Sequence, residues 1–296
     1  MPTIADPANV QNTELNPAQP VHNDLVPEAA TALAQRLDDQ MGHEPDLAQR
    51  LLLIRQQIPG RIAFSTSLGI EDQAVLHAIA EAGGEFDVFT LDTGRHFPET
   101  LDTLDASENR YGLKIQVMFP DAGDVERLVA RDGIYGFRTA VENRKACCDI
   151  RKVRPLNRAL AGASAWITGL RRQQSDGRAH VPFAVYDPVQ KLIKLNPMAD
   201  WTLSQLEGYV TTHDIPINAL HGRGFPSIGC QPCTRAIKPG EDIRAGRWWW
   251  ENEDGKECGL HNRPDTLKTD TLKTDTLKTD SLKTVTKTTA ANEGQL

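Results

Sequence analysis

Five cysteines carry the most distinctive chemistry this sequence offers: Cys147-Cys148, Cys230-Gln231-Pro232-Cys233 and Cys258. An odd count is a poor basis for a disulfide framework. Adjacent residues place their Cα atoms only ~3.8 Å apart, below the ~4.4–6.8 Å that a disulfide spans, so a Cys147–Cys148 bridge would be strained. The two-residue spacer between Cys230 and Cys233 lets a tight turn aim both sulfurs at one point, a metal-ligand pattern. On a helix, the neighbouring thiols Cys147 and Cys148 diverge by about 100°. Divergent thiolates converge poorly on a single zinc ion, but each can take a separate corner of a cubane 4Fe–4S cluster. This geometry favours iron–sulfur and leaves zinc open. A redox dithiol at Cys230 and Cys233, or plain buried thiols, are further readings, although the pair does not open a helix after a strand as thioredoxin-type motifs do. If the two pairs hold a metal group, Cys258 remains, in Lys256-Glu257-Cys258-Gly259-Leu260-His261. A nucleophile there would have no resolving partner in this chain and would need a thiol from another protein.

Three further segments could hold an anion. Ser65-Thr66-Ser67-Leu68-Gly69 supplies hydroxyls, a glycine and the free N–H groups of a helix start. Simple N-capping by Ser67 explains the same residues, and Glu71 and Asp72 would repel an anion unless they point away. Leu91-Asp92-Thr93-Gly94-Arg95 leaves an apolar run with an arginine able to grip phosphate or sulfate bidentately. Gly169-Leu170-Arg171-Arg172-Gln173 leaves another in the same way, an anion clamp or an exposed basic loop.

These segments need elements to position them. Helical spacing is read over about 28–41, 45–57, 71–82, 98–111, 123–131, 144–160 (with a bend at Pro155) and 202–213. Strand-type runs fall at 61–66, 86–91, 114–119, 165–168, 183–186 and 192–195. Strands alternating with helices of this length predict an α/β fold with a mostly parallel sheet covered on both faces. In such sheets ligands sit beyond the carboxyl ends of the strands, where all three anion segments converge. Residues 1–27 carry five prolines and no amphipathic period, and read as a flexible lead-in. Residues 28–264 form the single domain, with a mobile stretch at about 250–264. From Asp265 the chain repeats DTLKT, a five-residue period that fits neither helix nor strand, so 265–296 reads as a disordered tail.

With 39% hydrophobic and 25% charged residues the composition is that of a soluble globular protein. No apolar run reaches the ~20 residues of a membrane span, no secretory signal is readable, and the cytoplasm is the expected location. A net charge of −7 argues against a broad nucleic-acid surface but not against a local anion pocket.

Taken together these residues resemble the phosphoadenylyl/adenylyl-sulfate reductase family, which shares the adenine nucleotide alpha hydrolase-like fold of the ATP pyrophosphatases. Ser65-Thr66-Ser67-Leu68-Gly69 is similar to its serine-rich loop, Leu91-Asp92-Thr93-Gly94-Arg95 to its second motif, Gly169-Leu170-Arg171-Arg172-Gln173 to its arginine loop, and 256–261 to its catalytic C-terminal motif. The resemblance covers about Arg61 to His261. The complete pairs Cys147-Cys148 and Cys230-Gln-Pro-Cys233 imply the assimilatory branch that binds one 4Fe–4S cluster and prefers adenosine 5′-phosphosulfate over its 3′-phosphorylated form. The resemblance further implies Cys258 as nucleophile, thioredoxin or glutaredoxin as reductant, and a lysine between cluster and substrate, matched to Lys145. Arg95, Arg171 and Arg172 would neutralise the substrate, aided by Arg244, Arg247 and His261. Reduction of the 3′-phosphorylated substrate, an ATP-dependent thiolation or amidation enzyme and a non-enzymatic iron–sulfur sensor are the rival readings, and homo-oligomerisation stays open.

Overall fold

Runs such as Ile62-Ala63-Phe64 and Ala165-Trp166-Ile167 are apolar at every position, which suits strands buried on both faces. In the computed structural model, which describes residues 26–251, they form the middle of one sheet. Its strands are β1 (Ile62–Thr66), β2 (Asp87–Leu91), β3 (Gln116–Met118), β4 (Ala165–Ile167), β5 (Ala184–Asp187) and β6 (Leu192–Leu195), in the order β3-β2-β1-β4-β6-β5. All neighbours are parallel except β5 and β6, which pair antiparallel. The expected α/β architecture is the one observed.

The helices are α1 (Pro27–His43), α2 (Leu47–Gln57), α3 (Ile70–Ala82), α4 (Pro98–Tyr111), α5 (Ala122–Asp132), α6 (Val141–Cys148), α7 (Arg154–Leu160) and α8 (Leu203–Thr212). Local chemistry sets their ends. Asp46 and Asp121 cap α2 and α5 through their side chains, Thr202 and Gln205 form a reciprocal capping box on α8, and Pro98 occupies the first turn of α4. The sheet's two faces bury separate clusters because successive strand residues point oppositely. Phe64, Ile167 and Leu195 meet α1, α2, α3 and α8 residues such as Leu37, Leu51 and Val75 on one side. Ala63, Phe89 and Trp166 meet Leu156, Ala159 and Leu160 of α7 on the other. Burying a side chain such as Phe64 contributes roughly 1.5–3 kcal/mol.

The bend foreseen at Pro155 takes a specific form. Pro155 has no N–H for the carbonyl of Arg151, and the chain runs through a π-helical turn, Asp149–Val153, between α6 and α7. No described helix is long and apolar enough to cross a membrane. The lead-in and the repeats fall almost wholly outside the described residues, as do Cys258 and His261.

Candidate active site

The chain leaves β1 toward β2 on one side of the sheet and later returns to β4 on the other, so the strand order reverses between β1 and β4. A cleft opens at that point, above the carboxyl ends of β1, β2 and β4, with a volume of about 1350 Å³ including its mouth. Ser65, Thr66, Ser67, Gly69, Leu91 and Gly169 line it, as do Arg244 and Arg247 from the C-terminal loops.

The serine-rich loop is held from within. Leu68 adopts φ 60°, a left-handed conformation costly for leucine, and its N–H donates to Thr66 Oγ1 at 3.0 Å while the side chain is buried. The loop then enters α3, whose N-terminus, capped by Gly69, faces the cleft as an anion-favouring end. The adjacent carboxylates are already engaged. Asp72 Oδ2 accepts from Ser67 N at 2.6 Å and Ser67 Oγ at 2.5 Å, and Glu71 Oε1 pairs with Arg171 Nη2 at 2.9 Å. Burial raises the Asp72 pKa to about 6, against the opposing effect of the Ser67 hydrogen bonds. Gly169 closes over this carboxylate so tightly that a Cβ there would lie 2.2 Å from Asp72 Oδ1. Trp166 Nε1 donates to Ser65 Oγ at 2.7 Å, tying β4 to the same loop.

The other sequence-predicted residues are placed differently. Arg171, 2% exposed, is committed to Glu71 and the Trp201 carbonyl and does not line the cleft. Arg172 donates to the Val181 carbonyl at 2.9 Å and lies over the Phe183 ring, and Gln173 is exposed. Besides Gly169 and Leu170, this stretch brings Gln174 and Arg178 to the cleft, bonded to each other at 2.6 Å. The second motif also turns away: Asp92 accepts from Gly94 N, Thr93 Oγ1 sits 3.3 Å from Cys230 Sγ, and Arg95 donates to the Ile134 carbonyl while lying over Phe137.

Thr93 and Arg95 instead border a second, much smaller cavity, which Arg95 and all of Cys147, Cys148, Cys230 and Cys233 line. Cys147 and Cys148 end α6, while Cys230 caps and Cys233 closes a 3-10 turn that begins at Gln231. The four thiols are free and partly buried. Burial and the neighbouring Cys230 and Cys148 push the Cys233 thiol up to about 12, and burial also raises Cys147. Burial opposes ionisation of Cys230 as well, but Lys152, the Thr93 hydroxyl, Arg247 and Arg151 outweigh it and hold that pKa below the ordinary value. Soft donors converging from two elements, ringed by Arg95, Arg144, Arg151, Lys152 and Arg247, fit an anionic thiolate-ligated metal group.

The two cavities share a wall: Lys152, Arg247 and Trp248 line both. Lys145 is exposed on α6 and lines neither, so the lysine lying between the thiols and the cleft is Lys152, brought there by the π-helical turn. Arg151-Lys152 directly following the cysteine pair by one helical turn was the sequence signal for it. Trp248 is buried at φ 43°, with the guanidinium groups of Arg144 and Arg247 over its ring at 4.6 and 4.7 Å. Arg247 also reaches the Ile228 carbonyl at 3.3 Å.

The sequence profile of the phosphoadenosine phosphosulfate reductase domain matches residues 61–236. The chain belongs to that family. The match begins at the foot of β1 and includes both cysteine pairs, but stops short of Arg244, Arg247 and Trp248. Family relatives include adenosine 5′-phosphosulfate reductase of Agrobacterium fabrum, 53% identical over 216 residues, 73% of this chain and 83% of the relative. The enzyme of the same name from Sinorhizobium fredii is 51% identical, covering 80% of this chain and 94% of its own. Among solved structures, the phosphoadenylyl-sulfate reductase of Candida auris shares the reductase fold with TM-score 0.60 at 23% identity, covering 72% of this chain and 98% of its own.

Proposed function

We propose that this chain reduces adenosine 5′-phosphosulfate to sulfite and AMP in the cytoplasmic assimilation of sulfate. The observation that carries the reading is the shared wall of Lys152, Arg247 and Trp248 between an anion cleft at the sheet's switch point and a cavity of four thiols. Relatives at about half identity bearing that enzyme name support it.

The α3 N-terminus, the Ser65–Ser67 hydroxyls and the cations Lys152, Arg178, Arg244 and Arg247 would receive the charged phosphosulfate. Neutralising this charge is what permits an anionic nucleophile to approach. The Cys258 thiolate attacks the sulfate sulfur, the S–O bond to the phosphate breaks, AMP departs, and S-sulfocysteine forms. A thioredoxin or glutaredoxin thiolate then attacks the Cys258 sulfur and releases sulfite with the S–S electron pair. The reductant's second thiol resolves the mixed disulfide and restores the Cys258 thiolate, so two thiols supply both electrons. Cys147, Cys148, Cys230 and Cys233 would hold one 4Fe–4S cluster, which supplies fixed charge and a cross-link between α6 and the 3-10 turn.

The test is anaerobic sulfite release with reduced thioredoxin, comparing adenosine 5′-phosphosulfate with its 3′-phosphorylated form. Preference for the former supports the proposal; turnover of only the latter, or neither, overturns it.

A further inference from the structure

Away from the cleft, on the face where α3 packs against α8, His77 is 8% exposed and its Nδ1 has no hydrogen-bond partner. Its other nitrogen, Nε2, looks toward a carboxylate and a second imidazole, an arrangement one metal ion can bridge. Desolvation lowers the His77 pKa, which favours the neutral imidazole that metals bind. Glu81, one helical turn further along α3, places Oε1 3.4 Å from His77 Nε2. His213, which ends α8, places Nδ1 3.8 Å from the same oxygen. The candidate ligand atoms of all three residues lie within 4.8 Å of one another.

Neighbouring corners of a tetrahedral zinc site with bonds of about 2.0–2.1 Å are about 3.3–3.4 Å apart, so one edge is already at that length and a second is close to it. We propose that His77, Glu81 and His213 bind one divalent transition-metal ion of the zinc class, stapling α3 to α8 independently of the thiol cavity. Two imidazoles and a carboxylate suit zinc, nickel or copper and do not suit calcium or magnesium. Water completes the coordination from the exposed side, where Glu81 and His213 form the rim and His77 the floor. Tyr209 fixes the rings, with centroids 5.7 Å from His77 and 4.4 Å from His213. Arg110 reaches the His213 carbonyl at 3.5 Å, and the Glu81 carboxylate offsets its charge.

Zn²⁺ alone, titrated into the full-length protein with its thiol cavity filled as purified, tests the site. The wild type should take up one equivalent beyond any held by the cysteines. Zinc-edge X-ray absorption should show a nitrogen/oxygen shell at about 2.0–2.1 Å and no sulfur at about 2.3 Å for that equivalent. Zinc at about a hundredfold excess over its Kd should raise Tm by several degrees. Glu81→Gln and His213→Ala alter half-exposed side chains; each should weaken the equivalent at least about tenfold and lose the Tm rise, with sulfite release unchanged. A sulfur shell for the added zinc, no added equivalent, or the same affinity in both variants would overturn the proposal.

Discussion

Arg144 and Glu251 meet in a 2.6 Å ion pair whose side chains are only 1% and 8% exposed. The last described residue is thereby fastened to the helix that carries the Cys147–Cys148 pair, seven residues before Cys258. Removing one partner breaks a buried ion pair, a loss of up to about 3–5 kcal/mol. Glu251→Ala should lower the urea midpoint accordingly, whereas Arg144→Met/Glu251→Leu should recover much of the loss. Equal destabilisation by the single and double variants would show that packing, not the broken ion pair, dominates.

Lys152 and Lys145 separate two roles for a lysine near the thiol pair. Lys152→Ala removes a cation shared by both cavities and should cut kcat/KM for adenosine 5′-phosphosulfate by roughly 10²-fold, about 2.7 kcal/mol of barrier. Lys145→Ala should stay near wild type. Steady-state kinetics on the two variants decides it, and a reversed order would place the functional lysine on α6.

Asp72 should make the fold prefer mild acid locally. Its folded pKa, about 6, lies above the ordinary 3.8, so its contribution to stability is fully present below pH 4 and is lost as pH rises through about 6. The difference in unfolding free energy between wild type and Asp72→Asn should therefore change by about 2 kcal/mol between pH 4 and 6.5. A flat difference across that window would mean that Asp72 titrates normally. Gly169→Ala, which crowds the same carboxylate, should destabilise at all pH values by about 1–3 kcal/mol.

The four-thiol cavity predicts its contents. Anaerobically purified protein should be brown and carry about four irons and four sulfides per chain. Cys233→Ser should lose colour and iron together. Stoichiometric zinc bound to sulfur without sulfide would reject the cluster.

Cys258→Ser should retain the colour and nucleotide binding while abolishing sulfite release. Intact-mass analysis after adenosine 5′-phosphosulfate without reductant should show the S-sulfo adduct in wild type only. An adduct on another residue, or turnover by the serine variant, would overturn the proposed nucleophile.

Much of this architecture was legible because its signals are local. The expected helix at 98–111 coincides with α4, since Pro98 fixes its first turn and Gly112, at φ 62°, ends it in the left-handed conformation. The serine-rich loop was legible for the same reason, its hydroxyls and glycine lying within one strand-to-helix turn. What escaped depends on distant partners. Nothing near Arg171 announces that Glu71, a hundred positions earlier, will bury and neutralise it, leaving Arg178 to face the cleft. The disposition of Glu71 and Asp72 was equally invisible until β4 brought Arg171 and Gly169 across.

The turn at Asp149–Val153 sets an angular phase. In a plain α-helix each residue advances the side-chain direction by about 100°, so the widened turn offsets α7 from α6 by roughly one such step. Upstream of it the thiols of Cys147 and Cys148 address one cavity; downstream, Leu156, Ala159 and Leu160 address the sheet. Winding 149–153 as regular α-helix with no residue removed would turn α7 by about 100° against α6, and that helix could face its thiols correctly or its apolar stripe correctly, but not both. The four thiols and the core beneath them are thus kept in step by the width of one turn.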